Sequence, residues 1–534
     1  MHQSTKDDRR RLLRYLAIGV ADLCLPRRVF SQARVTSYPF ALGVASGAPT
    51  TDGMVLWTRL APGAPLAIDN GTEPLAVGWE VADDAGFARI VRRGQTQALP
   101  ELAHSVHVEV HGLLPDRGYF YRFLRGDALS PAGRTRTLPL PGADLVRLRL
   151  AYASCQKWED GHYAAWRHMR ADEPDVVVFL GDYIYEYPGN SGPVAGPGGG
   201  WAIDLDGYRR RYAVYKSDPD LQAMHQACPW LMTWDDHEVQ NDYAGLQAGY
   251  GGPGDPSSPA LFVARRNAAY QAYYEHMPLR ASALVRALAG SAAADQLRVH
   301  DRVQFGRLLS LHLLDDRQYR DVQVCTANGR RGAGLVKPDQ CPALADTTRS
   351  ILGFEQERWL DQSLAQARTR ETRWNVLAQQ TVFGQRDFRP GPGEVFSNDG
   401  WDGYPAARQR LIDSLQRHEV PNPIFLGGDV HANWVAHVKR EPDRQASADV
   451  AVEFCGTSIT SRGAGNARLP ALLAANPHCV FADAKEHGYG IVDVTPDGLN
   501  VRLRAVHDVV QRDTGIGTLA AFRVDAGRAA LQRV

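Results

Sequence analysis

The chain has 534 residues, of which 44% are hydrophobic and 22% charged, which is typical of a globular protein and excludes large-scale disorder. Lysine plus arginine and aspartate plus glutamate both total 60, so a formal net charge of zero argues against a nucleic-acid coat or a polybasic membrane patch. The sequence has no run of roughly 18 apolar residues, so it predicts no transmembrane segment, and its length predicts two or three domains.

Residues 1–33 have the order of an export signal. Three arginines at positions 9–11 precede an apolar stretch from Tyr15 to Leu25, and Ser31 to Ala33 offers small residues for cleavage. Consecutive arginines before Leu-Leu resemble a twin-arginine signal. We therefore expect an exported protein, periplasmic or extracellular; a frayed amphipathic N-terminus is the alternative for this segment.

Residues 37–141 predict an N-terminal domain of β-strands. Short alternating runs are separated by Gly, Pro and Asp, and the clearest of them extends from Val106 to Val110. Its three valines are expected to face one side, with the histidine and the glutamate between them on the other. Several such runs over about 100 residues predict a β-sandwich.

Residues 146–520 predict a layered α/β domain, because buried strands alternate with helices, and residues 521–534 are expected to form a C-terminal tail. Four of the strands end in polar residues. Ligand sites in such sheets lie at the C-terminal ends of the strands, so we expect these residues to converge. They are Cys155; Asp182 and Tyr185; Asp236, His237 and Glu238; Asp429 and His431.

These residue types can hold two metal ions, with one carboxylate bridging them. Two metal ions can clamp a phosphate and convert bound water to hydroxide near neutral pH. Each motif alone is weak, since a Gly-Asp pair is more often a turn and a buried cysteine more often a small hydrophobic residue. Their shared position after buried strands favours a metal-dependent phosphoesterase.

Longer motifs carry a resemblance to a known family. Six of them occur in this order: FALGVASGAPTTDGMVLWTRL, ASCQKWEDGHYAAWRHM, FLGDYIYEY, TWDDHEVQNDY, DDRQYRD and GGDVHANW. The chain resembles the alkaline phosphatase D/phosphodiesterase family, related to purple acid phosphatases and calcineurin-like metallophosphoesterases. The resemblance implies a layered metallophosphoesterase sandwich, two β-sheets flanked by helices, after an N-terminal immunoglobulin/fibronectin-like β-sandwich. It also implies hydrolysis of phosphodiesters and phosphomonoesters by attack of metal-bound hydroxide.

The resemblance also implies a role for each metal ligand. Cys155 stands where the wider superfamily has its first aspartate, which implies a thiolate ligand. Asp182 matches the bridging aspartate, and Tyr185 matches the tyrosinate that marks ferric iron. His431 matches the last histidine of the usual Gly-His-x-His and would complete the iron site.

At the second metal position the resemblance implies calcium beside the iron. Asp236 and Asp429 replace an amide and an imidazole of the wider pattern, and hard oxygen ligands favour Ca²⁺ over zinc. Asn241 is expected to be a further oxygen ligand or a substrate contact, or else a residue that caps its loop. The expected cofactors are therefore Fe³⁺ and Ca²⁺.

Two further residues are candidates for the chemistry. His237 matches the superfamily's catalytic histidine and would give a proton to the leaving oxygen or stabilise the transition state. Arg317 could clamp phosphate through both of its terminal nitrogens, or form a structural ion pair with Asp315 or Asp316.

The expected substrates are small phosphate esters or phospholipid head groups, and no nucleic-acid partner is expected. Two alternatives stay open: a phospholipase D-type phosphodiesterase and a non-catalytic surface-binding protein. A cysteine phosphatase is excluded because the arginine it needs is replaced by Gly161. Cys325 with Cys341, and less clearly Cys455 with Cys479, could form disulfides in an oxidising compartment.

Overall fold

The computed structural model describes residues 35, 37–61, 71–189, 192–194, 200–249, 255, 258–283, 297–326, 330–441, 444 and 446–534. The export segment predicted over residues 1–33 lies outside them. The chain divides into two compact units. The first consists of Met1–Thr137, Asp204–Trp230 and Asn267–Arg298, and the second of Leu138–Ile203, Leu231–Arg266 and Val299–Val534. The N-terminal part of the first unit ends close to the predicted boundary at residue 141.

The first unit contains two sets of antiparallel strands. Its strands are β1 (Val44–Gly47), β2 (Met54–Arg59), β3 (Leu75–Ala82), β4 (Ile90–Ala98), β5 (Ser105–Val110), β6 (Gly118–Arg125), β7 (Ala128–Leu129) and β8 (Gly133–Arg136). In one set the strands pair in the order β1-β2-β5. The other set is a five-stranded sheet with the order β4-β3-β6-β7 and with β8 beside β6. Val106, Val108 and Val110 pack with Tyr121 and Phe123 of the other sheet in one core, which confirms the predicted alternation.

Aspartate caps or N-terminal prolines mark the start of several helices. They are α1 (Ala164–Ala171), α2 (Leu205–Lys216), α3 (Pro219–Ala227), α4 (Pro259–His276), α5 (Gly353–Ala365), α6 (Pro405–Arg417) and α7 (Leu469–Ala475). The side chain of Asp204 accepts the N–H of Gly207 at the start of α2, and Asp218 accepts two N–H groups at the start of α3. Helices α3 and α6 begin with proline, which has no N–H left without a partner there.

The second unit contains two large sheets. Its strands are β9 (Leu148–Ala153), β10 (Val176–Phe179), β11 (Trp230–Met232), β12 (Asp301–Phe305), β13 (Leu309–Leu313), β14 (Leu335–Val336), β15 (Trp374–Ala378), β16 (Phe396–Ser397), β17 (Pro423–Gly427), β18 (Asn433–Lys439), β19 (Asp449–Cys455), β20 (Cys479–Asp483), β21 (His487–Val494), β22 (Gly498–Val506), β23 (Ile516–Asp525) and β24 (Leu531–Arg533). The first sheet contains the order β24-β23-β22-β21-β9-β10-β11, and the second has β12-β13-β15-β17-β19-β18-β20. Strands β9 and β10 are parallel, as are β13, β15, β17 and β19.

The two large sheets share a hydrophobic core. Leu150 and Val178 of the first sheet belong to the same buried cluster as Leu311, Val376 and Ile424 of the second. A separate buried cluster joins helices α5 and α6 to strands β15 and β17 of the second sheet. The chain is therefore a mixed α/β protein with several sheets, as the sequence predicts.

Two features differ from the sequence analysis. Residues 521–534, expected to form a tail, continue strand β23 and supply β24, because alternate residues such as Phe522 and Val524 are buried in the core. Cys325 and Cys341 form the predicted disulfide, whereas Cys455 and Cys479 are free, so the second pairing is wrong. In the described part of the chain, every helix is too short or too polar to cross a membrane.

Candidate metal centre

The predicted ligands follow the ends of four strands in the second unit. Cys155 comes two residues after β9, and Asp182 three residues after β10. The N–H of Cys155 donates to the carbonyl of Gly181 at 3.1 Å, so these two loops stay together beyond the sheet. Asp236 follows β11 and Asp429 follows β17 in the same way.

The backbone at several of these residues is in the left-handed region. The φ angle is 59° at Cys155, 57° at Asp182, 64° at Asp429 and 49° at His431. This region costs a non-glycine residue roughly 1 to 2 kcal/mol, and such residues concentrate at functional sites, where the surroundings fix them. The concentration here is independent support for a functional site.

Close approach of the loops requires glycine at two positions. Gly181 has a φ of 105°, and a Cβ atom there would lie 2.5 Å from the backbone nitrogen of Asp235. A Cβ atom on Gly428 would lie 2.4 Å from the hydroxyl oxygen of Ser154. The glycines of the two Gly-Asp motifs therefore allow the ligand loops to pack against each other.

One group of ligand atoms surrounds Asp182. A sulfur of Cys155, a carboxylate oxygen of Asp182 and an imidazole nitrogen of His431 all lie within 4.8 Å of one another. The Tyr185 hydroxyl donates to Asp182 Oδ2 at 2.9 Å and lies 3.0 Å from His431 Nε2. Ser461 Oγ donates to the same tyrosine oxygen at 2.7 Å. Thiol, carboxylate, imidazole and phenol thus converge as the sequence predicts.

A second group shares Asp182 with the first. Ligand atoms of Asp182, Asp236 and His237 also lie within 4.8 Å of one another. Membership of both groups is the geometry expected of a bridging carboxylate. Asp429 Oδ2 accepts a hydrogen bond from Thr381 at 2.6 Å, which fixes its carboxylate.

Arg317 is buried among carboxylates. Its Nε donates to Asp235 Oδ1 at 2.5 Å, and its Nη1 donates to Asp399 Oδ2 at 2.8 Å. Its Nη2 lies 3.6 Å from Asp429 Oδ1 and 3.8 Å from Asp236 Oδ2. The structure therefore favours the ion-pair alternative: Arg317 Nε lies 4.0 Å from the expected partner Asp316, and the closer contacts are to carboxylates that were not expected.

Several buried carboxylate oxygens in this region lack a hydrogen-bond partner among the described residues. They include Asp182 Oδ1, Asp235 Oδ2, Asp236 Oδ1 and both oxygens of Asp316. A buried carboxylate oxygen without a donor costs several kcal/mol unless a cation faces it. The carboxylates present therefore fit bound metal ions.

The electrostatics of Cys155 and Tyr185 agree with this fit. Burial, and then the negative charge of Asp182, raise the pKa of the Cys155 thiol and of the Tyr185 phenol well above their ordinary values. Both groups would stay protonated without a cation, and a bound metal ion would promote their ionisation.

The two carboxylates of the second group, Asp182 and Asp236, differ in pKa. Burial acts to raise the pKa of Asp182, but the imidazoles of His237 and His431 outweigh it and lower this pKa to about 2. Burial raises the pKa of Asp236 to about 8, although Arg317 and His237 oppose the shift. Asp182 is thus the more stable anion, which suits a ligand shared by two cations.

Glu186 was not predicted from the sequence. Its buried carboxylate lies 2.7 Å from His237 Nδ1 through Oε2, and its Oε1 accepts the backbone N–H of Asn241 at 2.9 Å. Its position four residues after Asp182, in the same motif, is the sequence feature from which its place in the site could have been predicted. The described contact of Asn241 involves its backbone, so its side-chain role stays a prediction.

Glu238 holds two of the ligand loops together. Its Oε2 accepts the N–H groups of Asp182 at 3.1 Å and Asp235 at 2.7 Å. The sequence shows it beside His237 but gives no sign that its carboxylate binds backbone. Its place is structural, since both loops depend on it.

The His237 imidazole lies among aromatic rings. Its centroid is 4.2 Å from the ring of Tyr185 and 5.4 Å from that of Tyr187. Burial acts to lower the pKa of His237, but the carboxylates of Glu186, Asp236 and Asp182 raise it well above its usual value. A protonated imidazole beside two ligand groups can donate a proton to a substrate.

Known proteins are similar to this chain in sequence and in fold. Residues 150–503 match the model of the PhoD-like phosphatase family, and residues 25–139 match the PhoD-like phosphatase N-terminal domain. Alkaline phosphatase D of Bacillus subtilis (strain 168) is 42% identical over 507 residues, which cover 93% of this chain and 83% of that protein. A solved structure described as that of PhoD superposes with a TM-score of 0.86 at 42% identity, covering 94% of this chain and 93% of the other.

Proposed function

The chain belongs to the PhoD-like phosphatase family and is a phosphoesterase, and we propose that it is an exported hydrolase of phosphodiesters and phosphomonoesters with an Fe³⁺/Ca²⁺ centre. The observation that carries this proposal is the convergence of Cys155, Asp182, Tyr185 and His431, with Asp182 shared by a second group. Membership of an enzyme family sets aside the alternative of a non-catalytic binding protein.

The donor atoms divide into two chemically different sets. Thiolate, phenolate and imidazole from Cys155, Tyr185 and His431 suit iron, while the carboxylates of Asp236 and Asp429 suit calcium. Asp182 would belong to both sets, and the side chain of Asn241 is a further candidate for the calcium. Bound in this way, the two cations would hold the phosphate and activate a water molecule for attack on phosphorus.

The proton for the leaving group would come from His237. Its Nδ1 lies 2.7 Å from the buried carboxylate of Glu186, which fixes the ring and leaves Nε2 for the substrate. Glu186 also holds the backbone of Asn241, so one carboxylate orders both the proton donor and the next loop. General acid catalysis of this kind contributes roughly 10²- to 10⁴-fold.

Arg317 would balance charge in the centre instead of clamping the substrate. Its guanidinium is 1% exposed and already donates to Asp235 and Asp399. Burial acts to raise the pKa of Asp399, but the charges of Arg317 and Arg320 outweigh it and lower this pKa. At Asp235 and Asp236 the charge of Arg317 only opposes the larger effect of burial. The sequence left open whether Arg317 clamps the phosphate or forms an ion pair. We propose that it supports the centre through its ion pairs and does not contact the substrate.

The proposal also includes the type of each domain and the compartment of the protein. The two facing sheets of the second unit, with α5 and α6 outside them, would be the metallophosphoesterase sandwich, and the sheets of the first unit an immunoglobulin/fibronectin-like sandwich. The disulfide between Cys325 and Cys341 supports an oxidising compartment, periplasmic or extracellular. This agrees with the export segment predicted over residues 1–33.

The test is metal analysis of protein purified without chelators, beside hydrolysis of a chromogenic diester and monoester with and without Ca²⁺. We expect iron near one per chain and calcium-dependent hydrolysis. The His237→Ala variant should keep its metals and lose most turnover of a diester with a poor leaving group, such as ethyl phenyl phosphate, because that leaving group needs a proton. Zinc without iron would overturn the metal assignment, and full activity of the variant would overturn the role of His237.

A further inference from the structure

A lysine lies at the edge of the metal centre, and it has no role in the mechanism above. Lys157 comes two residues after Cys155, and its side chain is half-buried. Its Nζ lies 4.4 Å from the centroid of the Tyr187 ring and 5.7 Å from that of Tyr185. The ammonium group is therefore placed over the outer of the two rings.

The backbone of Lys157 is fixed by residues that also support the centre. Its N–H donates to Ser461 Oγ at 3.1 Å, and its carbonyl accepts from Thr460 Oγ1 at 2.7 Å. The same Ser461 hydroxyl contacts the Tyr185 oxygen and the Cys155 carbonyl. The backbone of Lys157 therefore has a fixed position relative to two proposed iron ligands, Cys155 and Tyr185.

Among the described residues no carboxylate forms an ion pair with Lys157, in contrast to Arg317 with its several carboxylates. The cation–π contact with Tyr187 is worth only about 1 kcal/mol at a half-exposed position. It orients the ammonium group without neutralising it, so N–H donors remain for an anion.

The neighbours of Lys157 place it beside the leaving-group side of the centre. Tyr187 packs edge-to-face against His237 at 5.4 Å and lies 5.3 Å from the ring of Trp201. Tyr187 and Trp201 are both half-exposed, whereas Tyr185 is buried. The ammonium group is nearer to Tyr187, so it lies further out than the groups that would hold the scissile phosphate.

We propose that Lys157, with the rings of Tyr187 and Trp201, forms a subsite for a second anionic group on the substrate, next to the phosphate that is cleaved. This inference rests on the proposed function, because it deepens the substrate class of the same centre. The preferred substrates would be phosphate esters that carry a further phosphate or carboxylate near the scissile bond. Esters whose only anionic group is the scissile phosphate would bind without this contact.

Calorimetric binding of a matched pair of non-hydrolysable compounds tests the subsite without turnover. Propane-1,3-diphosphonate carries two anionic groups and propylphosphonate carries one. In the Lys157→Met variant we expect affinity for the diphosphonate to fall about five- to tenfold and that for the monophosphonate to stay the same. Lys157→Arg should restore most of the difference, and Lys337→Met, at an exposed position, should bind both compounds like the wild type.

Two results would overturn the subsite. Equal losses for both compounds would mean that Lys157 acts on the scissile phosphate or on the fold, and no loss would mean that it binds neither. Iron content and thermal stability of the variant serve as the check on folding. A charge-dependent loss in a protein that hydrolyses no ester would keep the subsite and refute the proposed function instead.

Discussion

The contact between Glu186 and His237 allows a quantitative prediction. In the Glu186→Gln variant the buried carboxylate becomes a neutral amide of nearly the same shape, so the packing around it should be preserved. The charge that holds His237 protonated and correctly oriented is lost. We expect a lower rate of the step in which the leaving group takes its proton.

The magnitude follows from the contact. A hydrogen bond that involves a charged group, such as the one at 2.7 Å between Glu186 Oε2 and His237 Nδ1, contributes about 1.5 to 3 kcal/mol. Because each 1.36 kcal/mol is a factor of ten in rate, turnover should fall about tenfold to about 150-fold. The loss should not exceed that of His237→Ala, since Glu186 acts through the histidine.

The assay compares two diesters that differ only in the leaving group, ethyl phenyl phosphate and ethyl p-nitrophenyl phosphate. p-Nitrophenolate leaves without a proton, whereas phenolate needs one. Glu186→Gln should therefore reduce kcat strongly for the phenyl ester and weakly for the p-nitrophenyl ester, with little change in KM. Glu355→Gln, an exposed glutamate on α5, is the matched control and should leave both rates unchanged.

Equal losses on the two esters would contradict a role of Glu186 in proton transfer, because a damaged metal centre or fold would slow both alike. Iron and calcium content separates these cases, since Glu186 follows Tyr185 directly in the chain. A variant that keeps its metals and loses the same factor on both esters would show that Glu186 has no part in proton transfer.

Three further predictions concern metal loading, stability and pH. Cys155→Ser should fold normally but bind much less iron by elemental analysis, whereas Cys228→Ser, at a buried cysteine of the first unit, should retain its iron. Replacing Cys325 and Cys341 by alanine should lower the free energy of unfolding by about 3 kcal/mol, the loop-closure contribution for a separation of 16 residues, and denaturant titration would measure it. Burial lowers the pKa of Lys216 from 10.5 to about 7, so between these values the unfolded chain binds more protons than the folded chain, and stability should rise with pH by up to about 1.4 kcal/mol per unit. Lys216→Met should abolish that rise in denaturant titrations at pH 7 and pH 10, and an unchanged slope would contradict it.

Much of the fold and of the candidate centre could be predicted from local patterns. The alternation from Val106 to Val110 marks its buried face because side chains of a strand point to opposite sides in turn. Cys155, Asp182 and Asp429 could be grouped because each follows a buried strand, and ligand sites of layered α/β domains lie beyond the carboxyl ends of such strands. These inferences need only the neighbours of a residue along the chain.

Other features depended on how separate loops meet. Arg317 contacts Asp235 and Asp399, which lie 82 positions away on either side of it, and its adjacent aspartates gave no sign of this. The free state of Cys455 and Cys479 likewise depends on where β19 and β20 place their side chains. Sequence spacing cannot supply such distances.

The sequence by itself determined the strands, the candidate ligand residues and the family, because periodicity and short motifs are properties of neighbouring residues. Only the tertiary structure decided that Glu186 holds His237, that Asp182 belongs to two ligand groups, and that Lys157 lies over Tyr187. Those relations are distances and angles between loops, and the packing of the sheets that carry the loops fixes them.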